Sequence, residues 1–142
     1  MIRSRIASTL KEKKFEVHEE VPCIAEGGSS RRIDIIAIDR NKNAAFILDP
    51  TVRYETSPDQ PGEVHEEKCK IYEPTISYFQ ELYKVKHISV VGLLIGARGS
   101  IPKFVVNSLQ KLGLGRELFL DIAILSVKGS LRIIYNNLYN PF

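Results

Sequence analysis

Cysteine is scarce in this chain of 142 residues: Cys23 and Cys69 stand far apart, and neither has a closely spaced second cysteine. That pattern argues against a disulfide framework and against a zinc site, and it favours a reducing, intracellular compartment. Long apolar runs are missing as well. No stretch approaches the ~20 apolar residues that a membrane-spanning helix needs, and the first residues carry no signal-peptide core. Nor does one sign of charge dominate: 20 Lys and Arg stand against 17 Asp and Glu, a net charge of +3. So mild a balance permits a nucleic-acid partner without requiring one. The basic clusters Lys11-Lys13-Lys14, Arg31-Arg32, Lys68-Lys70 and Lys84-Lys86 each read, taken alone, as solvated faces. His18, His65 and His87 are scattered and read as surface or packing residues. Internal repeats and low-complexity segments are also lacking.

What the chain does have is apolar material, 44% of residues, enough for one domain over residues 1–142 with a single core. Ile2, Ile6 and Leu10 recur at helical spacing and predict a first helix over residues 2–14. Residues 16–22 alternate, with Val17 and Val21 on one face, and predict a strand ended by Pro22 and a Gly/Ser loop. Two further strands are expected over 32–39 and 44–49, then a polar, proline-punctuated loop over 54–62. A helix should follow from about Glu63 to Tyr83, kinked at Pro74. His87–Gly96 is almost continuously apolar, as a strand covered on both faces would be. Pro102 suits the first turn of another helix, and the tail from Arg116 to about Asn137 repeats Leu118, Ile122 and Leu125 at helical intervals. The order α-β-β-β-α-β-α-α predicts an α/β fold with a mixed sheet of about four strands flanked by helices.

Inside this pattern two acids are out of place. Asp34 lies among Ile33, Ile35, Ile36, Ala37 and Ile38, and Asp49 follows Ala44, Ala45, Phe46, Ile47 and Leu48. A carboxylate in such a run costs several kcal/mol, roughly, unless something compensates it. With Asn41 and Lys42 at the centre of a hairpin, Asp34 pairs with Asp49, and their Cβ atoms stand ~5 Å apart on one face. Two like charges so placed repel, and a divalent cation is the usual reason to keep them. Lys68 and Tyr72, spaced i and i+4 on the following helix, share one face that can return against these strand ends. Two carboxylates, an ammonium and a phenol suit phosphodiester hydrolysis. The acids hold Mg²⁺ or Mn²⁺, with the Pro50 carbonyl as a further oxygen, and the metal acidifies a water. Lys68 orients or deprotonates that water or stabilises charge on phosphorus, and Lys70 competes for the same role. Arg31 and Arg32, with Lys70, are placed to steady a nucleic-acid backbone. Glu19 or Glu20 could supply a third acid from the first strand.

Arg32-Ile33-Asp34, Asp49-Pro50-Thr51 and Lys68-Cys69-Lys70-Ile71-Tyr72 resemble the PD-(D/E)XK nuclease core. The closest resemblance is to the restriction-like endonuclease domain of site-specific non-LTR retrotransposons. There Arg-Pro-Asp is followed by Asp-x-Thr, and the lysine has moved to the next helix as Lys-x-x-x-Tyr. The likeness spans roughly residues 1–100. Ile33 replaces the usual proline, Pro50 is unusual between Asp49 and Thr51, and Arg3 matches the first-helix basic motif in part. The resemblance implies a restriction-endonuclease-like core and a Mg²⁺-dependent endodeoxyribonuclease that nicks DNA, acting in the nucleus. It also implies a free-standing or domesticated copy, with a homodimer or a DNA-targeting partner protein supplying recognition. An inactive nucleic-acid-binding or interaction domain on the same fold is the alternative. The plainer readings are a strand-end acid paired with Arg32 for Asp34, a turn-starting Asp-Pro for Asp49, and a solvated helix position for Lys68.

Overall fold

A computed structural model describes residues 2–139, with side chains described through Asn136. The elements in order are α1 (Ile2–Glu12), β1 (Glu16–Ile24), β2 (Ser30–Asp39), β3 (Ala44–Arg53), α2 (Gln60–Tyr72), α3 (Ile76–Tyr83), β4 (His87–Gly96), α4 (Lys103–Gln110) and α5 (Arg116–Tyr139). The four strands form one mixed sheet in the order β1-β2-β3-β4, antiparallel except for the parallel pair β3 and β4. This is the α/β class expected. None of the described helices is long and apolar enough to cross a membrane.

Both faces of the sheet are covered, which explains why β2 and β4 read as nearly unbroken apolar runs. On one face Ile35, Ala37, Leu48, Leu93 and Ile95 meet Ile6 and Leu10 of α1, Val105 and Leu109 of α4, and Leu118 and Ile122 of α5. On the other, Ile36, Ile38, Ala45, Ile47 and Val90 meet Phe79 of α3, with Cys69 and Tyr72 of α2 packed alongside. The expected long helix is divided: Pro74 lies in a short 3₁₀ turn, Glu73–Thr75, because its ring removes a donor and crowds the preceding turn.

Two prolines read differently in three dimensions. Pro22 does not end β1, which continues to Ile24. β1 is an edge strand, where a donor missing on the open side breaks no ladder bond. Pro50 likewise lies within β3, past the point where the β2 ladder has stopped.

Alternation in β1 also departs from expectation. Val17 packs on the α1 side, whereas Val21 and Cys23 belong to the α3 side. Glu20 between them takes a left-handed backbone, φ 51°, and the Glu20–Asp34 step is missing from an otherwise continuous ladder. Beyond that kink the side-chain alternation is shifted by one, and Ile33 of β2 joins the α3 side as well.

Candidate active site

The hairpin register is the one that the acids require. Ile35 pairs with Leu48, Ile36 with Ile47, Ala37 with Phe46, Ile38 with Ala45 and Asp39 with Ala44. Asp39 closes the turn by accepting the N–H groups of Asn41 and Lys42, and Asn43 takes the left-handed conformation. The β2–β3 ladder stops at Ile35 and Leu48, while β3 remains paired with β4 as far as Arg53. Asp34 and Asp49 therefore stand one step past the last rung, in the mouth where the two strands diverge.

Asp49 is the hub. It is 5% exposed, and Lys68 Nζ lies 3.3 Å from its Oδ2. Thr51 Oγ1 donates to Oδ1 at 3.4 Å, and the Tyr72 hydroxyl and the Asp34 carboxyl lie close enough to feel its charge. Burial pushes the Asp34 carboxyl above the usual aspartate range, and the adjacent Asp49 carboxylate pushes the same way. Arg3 and Lys68 pull it back in part. Burial, then the Asp49 and Asp34 charges, hold Tyr72 well above the ordinary tyrosine value, so it is a hydrogen-bond donor at neutral pH.

The Asp34 shift has a consequence for stability. A carboxyl whose folded value exceeds its unfolded value makes the folded form bind more protons. Stability then falls as pH rises from the ordinary value near 3.8 through the higher folded one. Asp34→Asn removes that penalty. The variant is expected to melt above the wild type at pH 7 without added metal, with the gap closing below about pH 4; a variant less stable at pH 7 would contradict this.

Lys68 reaches Asp49 because α2 lies unusually close to β4. Gly92 is directly across from Asp49 in the parallel register, and a Cβ there would fall 2.9 Å from both His65 Cα and Lys68 Cγ. Gly92 N–H donates to His65 Nδ1 at 3.2 Å, and Cys69 Sγ reaches the Val90 carbonyl at 3.7 Å. Two side chains of α2 thus satisfy the open edge of β4, a strand that would otherwise offer free backbone groups. His65 and Cys69 are docking residues. Gly92→Val is expected to push α2 outward, costing about 1–3 kcal/mol by overpacking and separating Lys68 from Asp49. Urea denaturation measures the first effect. A variant of wild-type stability would contradict the tight approach.

The other expected residues fall away from the hub. Lys70 is exposed, two positions round the helix from Lys68, so of the two lysines Lys68 is the one at the carboxylates. Arg32 is largely exposed and faces Glu20 at 3.9 Å, and Arg31 donates to Ser29 and to the Ser30 carbonyl. Glu19 and Glu20 do not form a third acid beside Asp34. Glu19 faces Arg3 at 3.5 Å and Lys11 at 3.9 Å, and Glu20 accepts from Arg3 at 2.9 Å. Cations of α1 hold them, and among the described residues no group of three or more His, Cys, Asp or Glu is placed to grip a metal. Pro50 lies beside Asp49 inside β3, opposite Leu93 of β4, so the Asp-Pro pair does not end the strand. Glu55 accepts from Ser100 Oγ at 2.6 Å across the turn after β4, away from the carboxylates.

Sequence reasoning missed the role of Gly92, although a lone glycine inside an apolar strand run is the signal for close backbone approach. It also undervalued Arg3, the α1 cation that acts on Asp34.

No family model matches the chain, and no curated protein does. Among solved structures it is similar to a crystal structure of a protein of unknown function, AF1548, at 12% identity and a TM-score of 0.43, over 95% of this chain and 98% of that one.

Proposed function

We propose that this chain is a metal-dependent DNA endonuclease that hydrolyses phosphodiester bonds and nicks one strand, on a restriction-endonuclease-like core. The observation that carries this reading is the juxtaposition of two carboxylates one step past the last rung between adjacent strands, with a lysine ammonium 3.3 Å from one of them. Asp34, Asp49 and the Pro50 carbonyl are hard oxygen donors and would hold Mg²⁺ or Mn²⁺, which needs few protein ligands and keeps several waters. Burial raises Asp34 most, and the repulsion from Asp49 that adds to it is of the kind that a divalent cation relieves. Bound there, the cation supplies Lewis-acid polarisation of the phosphoryl oxygen and a more acidic water.

The remaining work belongs to the chain's own side chains. Lys68, 3.3 Å from Asp49 Oδ2, aims that carboxylate, and its ammonium hydrogens are available to the attacking water or to charge building on phosphorus. Tyr72, held as a phenol beside the Asp49 charge, would donate to that carboxylate and fix its orientation. Arg31, Arg32 and Lys70, solvent-facing and free of the hub, provide sequence-independent attraction for the backbone. Resemblance to the retrotransposon domains extends the reading to a nuclear nickase.

A second reading, DNA binding without catalysis, draws on the placement of Glu19 and Glu20 on Arg3 rather than beside Asp34. Relaxation of supercoiled plasmid in Mg²⁺ and in Mn²⁺ separates the two. The nuclease reading expects open circles from the wild type and none from Asp34→Ala, with DNA binding retained. A wild type that binds DNA but never nicks it in either metal decides for the second reading.

A further inference from the structure

α5 carries two apolar stripes, and the fold buries one of them, while Val127 of the other rests beside Gly99 in the turn after β4. Leu118 and Ile122 are buried against α1 and the sheet, and the buried Ser126 donates to the Gly96 carbonyl at 2.6 Å. On the opposite side of the helix Leu120, Ile124, Val127, Leu131 and Ile134 remain between 36% and 59% exposed. Their spacing is four, three, four, three. A helix resting on a domain needs a single stripe of period 3.6; a second stripe held to 3.5 is the pattern by which helix packs on helix, knobs into holes. Residues 131–134 are exposed, Arg132 and Ile133 bordering a groove with Ile2 and Val52, which leaves Leu131 and Ile134 on the side open to a neighbouring helix.

We infer that this stripe is a dimer seam, occupied by α5 of a second copy of the chain running antiparallel. Five half-exposed aliphatic side chains present on the order of 400 Å² of apolar surface, at the upper end for a monomer. Two copies together approach the ~1,000 Å² of a specific interface. Charge selects the second copy and its direction. The first half of the helix carries Arg116, Glu117 and Asp121, and the second half carries Lys128 and Arg132, so the net charge changes sign along it. Setting Leu120 against Leu131 of the second copy, and Ile124 against its Val127, brings Asp121 of each chain beside Lys128 of the other, at two points along one edge of the seam. Asp121 already accepts from Arg5 of α1 at 2.8 Å through one oxygen, which fixes its carboxylate at the border and leaves the other oxygen for the lysine. One patch then meets itself through a two-fold axis, the commonest closed assembly.

Sedimentation equilibrium of the full chain from about 5 to 200 µM tests the seam. A dimer is expected for the wild type, and a monomer for the double variant Ile124→Glu, Leu131→Glu. Because both positions are exposed in the monomer, its far-ultraviolet dichroism should match the wild type. Lys128→Glu, which sets an acid beside Asp121, should raise the dimer dissociation constant at least about fivefold at low salt, with the effect shrinking at high salt. A wild type that stays monomeric throughout, forms a species larger than a dimer, or still dimerises with both glutamates in place would overturn the seam. Indifference to Lys128→Glu would overturn the antiparallel alignment.

Discussion

Asp49→Asn is expected to slow plasmid nicking roughly 10³-fold, since loss of a ligand forfeits several kcal/mol of transition-state stabilisation at about 1.4 kcal/mol per decade. The amide keeps the shape of the carboxylate, so the loss is one of charge. It also removes the counter-ion of Lys68, whose side chain is only 15% exposed. A half-broken buried pair is costly, and the variant should lose about 2–3 kcal/mol of stability in urea, somewhat under the figure for a fully buried pair. Both effects come from one charge and should appear together. Undiminished nicking by Asp49→Asn would remove Asp49 from the chemistry.

Lys68→Met carries the second large effect. The methionine preserves most of the stem that packs over Gly92 and deletes the ammonium. Nicking should fall about 10²–10⁴-fold, the usual range for losing a proton-transfer or charge-stabilising group. Stability should fall here too, because Asp49 is left buried and uncompensated beside Asp34. The double variant Asp49→Asn, Lys68→Met provides the control. With neither charge present the burial penalty disappears, so stability should recover most of what either single change loses, while activity stays lost. Additive destabilisation in the double variant would mean that the 3.3 Å contact is incidental to the fold.

The separation of stability from activity at this site fits the Asp34 result expected above. A carboxyl held above its ordinary range by burial and by a like-charged neighbour weakens the fold at neutral pH, and neutralising it is expected to strengthen the fold while abolishing the proposed nicking. Sites that trade stability for function show this signature.

Much of the site was legible in the sequence because strand side chains alternate with period two. Once Asn41 and Lys42 are placed at the turn, the partner of every β2 residue follows, and the observed rungs from Asp39–Ala44 to Ile35–Leu48 obey that register. The pairing of Lys68 with Tyr72 followed from helical spacing in the same way. Other features were not local. Pro22 and Pro50 read as strand breakers until it is known that β1 is an edge and that β2 leaves β3 after Leu48. The reversal at Val21 depends on the left-handed backbone of Glu20, a residue with no intrinsic preference for it. Glu19 and Glu20 drew attention as acids near the site, and only the packing of α1 shows that Arg3 holds them. The exposed stripe of α5 was hidden by the buried one, because both are periodic and the eye follows the stripe that explains the core.

Calorimetric titration of Mn²⁺ into the wild type and into Asp34→Asn tests most directly whether these two acids stand together to hold a cation. Saturable binding near one ion per chain is expected for the wild type, with a metal-dependent rise in melting temperature, and neither is expected for the variant. A wild type that takes up no Mn²⁺, or an Asp34→Asn variant that binds it equally well, would contradict the assignment.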